Sequence, residues 1–338
     1  DPSERALAVE GDGLVTLDGN RPKFEGGVTL ARPAGTMLAS GRAVVNEPWR
    51  LSARVKANSA AALFEQIDFQ YGPEERALKI GGTAELKLGD HPRLDGVLSA
   101  SQLDIDRLVV TPALLRRAPL AAIRAFVESF GGALTAPFPM KIGFGADTVT
   151  LGGAPLQNVR GDLTSDGDGL AFESAQFRAP GFTEVAFSGK AGLAQGVFSF
   201  TGPADIASDD PRLLLRWLDG REDQIPGGPG KPMRLRADVS LGADKVALER
   251  LKAEVDRKTV DGRLVYLWPS DTRKARLDAE LNAAELDLDS VLDFAQGALG
   301  KYLPREMAEE IIEHPERLAL HGEKKEIFVL FSDLEGFT

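Results

Sequence analysis

The stretch RLDGVLSASQLDID, Arg93 to Asp106, recurs as RLDAELNAAELDLD, Arg276 to Asp289, with eight of the fourteen positions identical in place. In both copies a strand pattern gives way to Leu-Asp-apolar-Asp and then to a helical pattern. A looser copy, FSFTGPADIASDDPRL from Phe198 to Leu213, again runs strand, short acidic segment, helix. Repeated β units of this kind bury their faces on their neighbours, so the spacing predicts an elongated body in which each unit contacts the next.

Outward from the repeat, most of the first 290 residues alternate apolar and polar at period two, the mark of strands with one apolar face. Leu51, Ala53, Val55 and Ala57 follow this rule, as do Ala84, Leu86 and Leu88, and Met233, Leu235, Ala237, Val239 and Leu241. Asp12-Gly13, Asp18-Gly19, Asp166-Gly167-Asp168-Gly169 and Asp261-Gly262 predict turns between them. The fold class that follows is mainly β: an elongated, repeated antiparallel sheet with a few short helices and a helical C-terminal segment. Helices are predicted at Thr111 to Phe130, kinked by Pro119, and at Asp210 to Leu218, which opens with Asp as N-cap and Pro in the first turn. Two more are predicted from about Asp289 to Tyr302 and from Pro304 to His314. Alternation alone describes a closed sandwich equally well, because half-buried strands usually face a second sheet.

Composition narrows the function classes. The 338 residues are 43% hydrophobic and carry a net charge of −11, which argues against nucleic acid and against electrostatic docking on anionic lipid headgroups. Cysteine is absent, which removes thiol nucleophiles and Cys-ligated zinc. No apolar run approaches the roughly 20 residues of a membrane helix. Gly227 to Lys231 (GGPGK) lacks the leading Gly and the Ser or Thr of a phosphate loop. Asp166, Asp168 and Glu173 miss calcium-loop spacing. His91, His314 and His321 form no cluster in sequence, and Trp49, Trp217 and Trp268 read as core or sheet-edge anchors.

SQLDIDRL and AELDLDSVL, each after a long strand, together with the strand grammar of Val149 to Gly192 and the helix DDPRLLLRWL, resemble the AsmA-like family of bacterial envelope proteins. The resemblance covers roughly residues 1–293. It implies a periplasmic β-sheet curled into an open groove with an apolar interior, held at the inner membrane by an anchor outside these residues. It also implies a non-enzymatic role in moving phospholipid toward the outer membrane. Such chemistry needs only an apolar trough, since moving hydrocarbon out of water is favourable by about 0.8 kcal/mol per CH₂. Candidate lining residues are Phe144, Phe172, Phe187, Phe198 and Phe200, and the partner is a phospholipid or another apolar ligand.

The tail, LPREMAEEIIEHPERLALHGEKKEIFVLFSDLEGFT from Leu303 to Thr338, resembles the entry into a class III nucleotidyl cyclase domain. That resemblance makes 294–326 a helical linker and 327–338 a truncated first strand, with Asp333 as a metal ligand. One carboxylate cannot run a two-metal site, so Mg²⁺ or Mn²⁺ enters only if a cyclase domain is completed beyond Thr338. The alternative to a lipid-binding body is therefore the sensor or regulatory region of a cyclase. The two resemblances also imply opposite compartments.

Overall fold

In a computed structural model of the protein, the residues described are 7–19, 21–32, 48–109, 139–166, 169–194, 197–220, 231–242, 244–267, 276–283 and 327–329. Pro119, Ala122, Ile123 and Phe126 are described with them. The fold is mainly β, and within each unit the strands hydrogen-bond in chain order. Contacts divide the chain into two units, Asp1–Arg178 with Ser188–Phe198, and Ala179–Phe187 with Ser199–Thr338.

The first unit carries β1 (Ala8–Asp18), β2 (Arg21–Arg32), β3 (Trp49–Ala57), β4 (Ala61–Tyr71), β5 (Leu78–Lys87), β6 (Arg93–Asp104), β7 (Met140–Leu151), β8 (Ala154–Ser165) and most of β9 (Leu170–Ala179), side by side in that order. The division runs through β10 (Thr183–Ala194) and β11 (Val197–Ser208). The rest of the second unit is β12 (Met233–Leu241), β13 (Lys245–Val255), β14 (Lys258–Leu267), β15 (Arg276–Ala283) and the short β16 (Ile327–Val329), again in order. β16, where the cyclase resemblance places a first strand, pairs antiparallel with β15, Ile327 opposite Ala279. The two C-terminal helices predicted from Asp289 onward lie outside the described residues.

Among the described strand pairs, one departs from the expected antiparallel order. β6 and β7 run parallel, Leu98 opposite Phe144. A parallel pair needs a crossover of a dozen or more residues, and residues 105–139 supply it. The crossover opens with α1 (Ile105–Val109), inside the Leu-Asp-Ile-Asp motif and ahead of the predicted helix. Pro119, Ala122, Ile123 and Phe126, within that predicted helix, are helical. Asp104 caps α1 by accepting the Arg107 N–H at 3.0 Å. Asp106, the last residue of the motif, accepts the N–H groups of Gly152 and Gly153 at 2.9 and 2.7 Å. Those two glycines turn β7 into β8 at φ of 59° and 76°, so one carboxylate ties the start of the crossover to the next hairpin. The helix predicted at Asp210 forms as α2 (Pro211–Asp219), its cap accepting the Arg212 N–H at 3.2 Å.

The 14-residue repeat is the visible end of a four-strand duplication. β3–β6 and β12–β15 share their pairing register: Ser52 faces Asp68 as Arg236 faces Lys252, then Arg54 faces Glu65 as Asp238 faces Glu249. Between those pairs sits a β-bulge with its extra residue at positive φ, Gln66 at 52° in β4 and Arg250 at 49° in β13. Asn158 adopts the same φ of 52° at a bulge in β8. Beyond the bulge, Ile67 faces Gly82 as Leu251 faces Gly262. A Cβ on Gly82 would lie 2.1 Å from the Val97 carbonyl oxygen, and one on Gly262 would lie 2.0 Å from that of Glu280.

Two of the predicted turns are corrected here. Asp261-Gly262 lies inside β14, where the glycine relieves the close approach just described, and the chain turns instead at Asp256-Arg257, with φ of 51° and 65°. Asp12-Gly13 lies inside β1, where Gly13 leaves room for the ring of Phe24. Gly82→Ala and Gly262→Ala should each lower the urea midpoint, by a destabilisation of about 1–3 kcal/mol. Gly11→Ala, with its nearest atom 3.7 Å away, is the control and should leave the midpoint near wild type. Equal midpoints for all three would show that the bulge geometry does not depend on glycine.

Candidate functional site: the apolar face

Register partners can be followed across all nine strands of the first unit, and one such line is apolar throughout. It runs Gly13, Gly26, Val55, Phe64, Ala84, Gly96, Ile142, Leu163, Phe172, one residue from each of β1 to β9. The adjacent line includes Ile67, Gly82, Leu98, Phe144, Gly161 and Ala175. In the second unit a line from β11 to β16 runs Phe200, Leu241, Val246, Tyr266, Leu277, Val329.

The bulges are what keep these lines apolar. In β4 the apolar positions are Ala62 and Phe64 before Gln66, then Ile67, Phe69 and Tyr71 after it. A one-residue slip in period-two alternation would send Ile67, Phe69 and Tyr71 to the opposite face. The extra residue cancels that slip. β8 does the same, with Leu156 before the bulge and Val159, Gly161 and Leu163 after it.

Aromatic rings on this face lie down over glycines. A Cβ on Gly161 would sit 2.8 Å from the Phe144 ring, and Cβ atoms on Gly13 and Gly26 would sit 2.9 and 2.8 Å from the ring of Phe24. Each ring thus occupies the hollow left by a missing side chain. Phe172 meets Phe144 edge-on, with ring centroids 6.4 Å apart. At one end of the face, Tyr71 and Leu78 are buried beneath Trp49, Phe69, Leu103 and Phe126, so part of the crossover covers that corner.

The other face is polar and laddered with ions. Arg54 meets Glu25 at 3.2 Å, Lys56 meets Glu65 at 3.1 Å, Lys87 meets Asp95 at 3.6 Å and Lys141 meets Glu173 at 2.7 Å. The hydrogen bond from Lys141 to Glu173 holds that ammonium above its ordinary pKa, so the lysine keeps its charge at neutral pH and gives it up as pH rises through the elevated value. The two repeat copies carry the same strand-face pair, Arg93 with Asp95 at 2.8 Å and Arg276 with Asp278 at 2.7 Å. A depression of about 670 Å³ also opens on the polar face of the first unit, walled by Asp68, Lys79, Ser99, Ser101, Asp147 and Arg160.

Of the residues singled out from sequence, Phe144 and Phe172 come together in the first unit, while Phe187 and Phe200 form a separate edge-to-face pair at 5.3 Å in the second. The side chain of Phe198, and Asp333, lie outside the described residues. Glu173, weighed as a calcium ligand, is the partner of Lys141. Phe24, Phe64 and Phe69 belong to the apolar face and were not read from the sequence. The cue was present as an apolar alternation that skips one residue, Phe64 to Ile67. No protein-family model matches the chain, and no curated protein or solved structure matches it either.

Phe144→Ala should empty the hollow above Gly161 and destabilise the unit by about 2 kcal/mol, below the range for a fully buried ring because Phe144 is half-buried. Lys141→Ala, on the exposed polar face, should leave the midpoint unchanged within error. Calorimetry of both variants checks this, and a larger loss for Lys141→Ala would reverse the assignment of the two faces.

Proposed function

We propose that the chain is a non-enzymatic lipid-binding protein that carries phospholipid acyl chains on its apolar sheet face. One observation carries the reading: among the described residues the largest side chains with less than 2% exposure are Thr183 and Pro119. A closed sandwich buries its Phe, Leu and Ile completely between two sheets. Here Phe64, Ile142, Leu163 and Phe172 of a nine-strand line stay partly accessible, while the reverse face is laddered with charges. An acyl chain laid on such a surface gains about 0.8 kcal/mol per methylene removed from water, so half a dozen methylenes contribute about 5 kcal/mol before ordering costs. No catalytic group is required.

The resemblance to AsmA-like proteins supports the same reading and supplies its setting: a periplasmic body held at the inner membrane by an anchor outside these residues. The flat floor made by Phe144 over Gly161 suits a flexible chain of varying length better than a ligand of fixed shape.

Protein purified from a membrane-containing lysate should yield phospholipid on solvent extraction and mass spectrometry. Replacing Phe64 and Phe144 together by Asp should lower bound lipid severalfold, because charge on the floor opposes hydrocarbon. Val97→Asp places the same charge on the opposite face, at a residue already 62% exposed, and should retain the lipid. Circular dichroism confirms that each variant is folded. Absence of lipid from the wild type, or equal loss in the Val97 variant, would sink the proposal.

A further inference from the structure

The depression on the polar face of the first unit, about 670 Å³, falls within the roughly 300–1,000 Å³ of small-molecule sites. It is centred on one register line, Asp68, Gly81, Ser99, Gly145, Arg160, one residue from each of β4 to β8. Asp68 and Arg160 stand at its ends, four strand spacings or about 19 Å apart. Glycine inside a strand marks a bulge, a bend, or the close approach of a backbone or a ligand. Neither Gly81 nor Gly145 has positive φ, and a Cβ would meet nothing nearer than the Ile67 carbonyl oxygen at 3.4 Å and the Val159 carbonyl oxygen at 4.0 Å. The backbone therefore has room for a side chain at both.

The duplication supplies an internal comparison. In the second copy Lys252 faces Asp261 as Asp68 faces Gly81 in the first, Thr259 takes the place of Lys79, and Ala284 stands in the repeat where the first has Ser101. The ladder differs too. Val260 pairs with Ala283 in the second copy, whereas β5 and β6 stop pairing at Gly81 opposite Ser99, and Ile80 and Ala100 beyond that point border the depression. The fold is duplicated and the depression's lining is not.

Elsewhere on this face Lys and Arg are answered by carboxylates across the strands. Around the depression the side chains of Lys79, Asp147 and Arg160 make no hydrogen bond or ion pair among the described residues, and Asp68 accepts only the Gln70 amide, at 3.2 Å. Each end carries one carboxylate and one cation, Asp68 with Lys79 and Asp147 with Arg160, so the lining has no net charge. A simple anion or cation would meet as much repulsion as attraction. A hydroxyl group donates to a carboxylate and accepts from an ammonium or guanidinium, and Ser99 and Ser101 between the ends do both. We propose that the depression binds a neutral oligosaccharide, laid across the glycine floor with its hydroxyls held at both ends. The site lies on the face opposite the one assigned to lipid and stands apart from that reading.

The test is titration calorimetry and saturation-transfer NMR of the whole chain with maltotriose, cellotriose and triacetylchitotriose. At least one should bind, and Gly81→Asp, which installs the residue of the second copy, should weaken it at least tenfold with the urea midpoint near wild type. Gly145→Ser fills the same floor from β7 and should do likewise, which keeps the test decisive if the first variant fails to fold. Lys79→Ala/Arg160→Ala should weaken binding at least fivefold, while Lys141→Ala, on the same face but paired with Glu173, should leave it unchanged. No trisaccharide bound by the wild type, or binding untouched by the folded glycine variants, overturns the proposal. Inorganic phosphate or glycine bound as tightly as the best trisaccharide overturns it too, making the depression a site for charge.

Discussion

The constraint on which the rest depends is the one-residue bulge at Gln66 and its counterpart at Arg250. A strand of eleven or twelve residues with uniform alternation would be pleated without interruption. β4 and β13 each insert one residue at positive φ, and each places a glycine, Gly82 or Gly262, where the neighbouring backbone comes closest. The insertion keeps Phe64 and Ile67 on one side and Lys56, Glu65 and Asp95 on the other. Without it, half of each strand would turn its apolar residues toward the ion pairs.

The strands were legible in sequence because alternation survives between the bulges: Met233 to Leu241 is uninterrupted, and it forms β12 whole. The α2 cap was legible too, since Asp210 followed by Pro211 leaves little alternative to a helix start. Bulges hid what lay across them. Read at strict period two, Phe64 and Phe69 fall on opposite faces, so the aromatic floor of β4 could not be assembled from the sequence. Asp261-Gly262 misled for a related reason: a glycine needed for close backbone approach has the same composition as one needed for a turn.

The repeat pointed correctly to duplicated β units, but 14 residues understated it. What is conserved between the two copies is register, which depends on where hydrogen bonds fall and tolerates wide change in side chains. Ser52 and Asp68 correspond to Arg236 and Lys252 with no shared chemistry. The role of Asp106 was likewise invisible, because its partners, Gly152 and Gly153, lie 46 and 47 residues away. The candidate phenylalanines were placed on inward positions by alternation; that Phe144 would lie over Gly161 depends on the register of β7 against β8.

On the function proposed above, a sheet with one ion-laddered face and one apolar face, on which no described aromatic or aliphatic side chain larger than proline is less than 2% exposed, takes its covering from elsewhere. The central claim is that this covering is lipid. It is tested most directly by photo-crosslinking: benzoylphenylalanine is installed at position 144 or at position 97, and each protein is illuminated with phospholipid vesicles. The account predicts phospholipid adducts at 144 and none at 97. No adduct at 144, or equal labelling at the two positions, would contradict it.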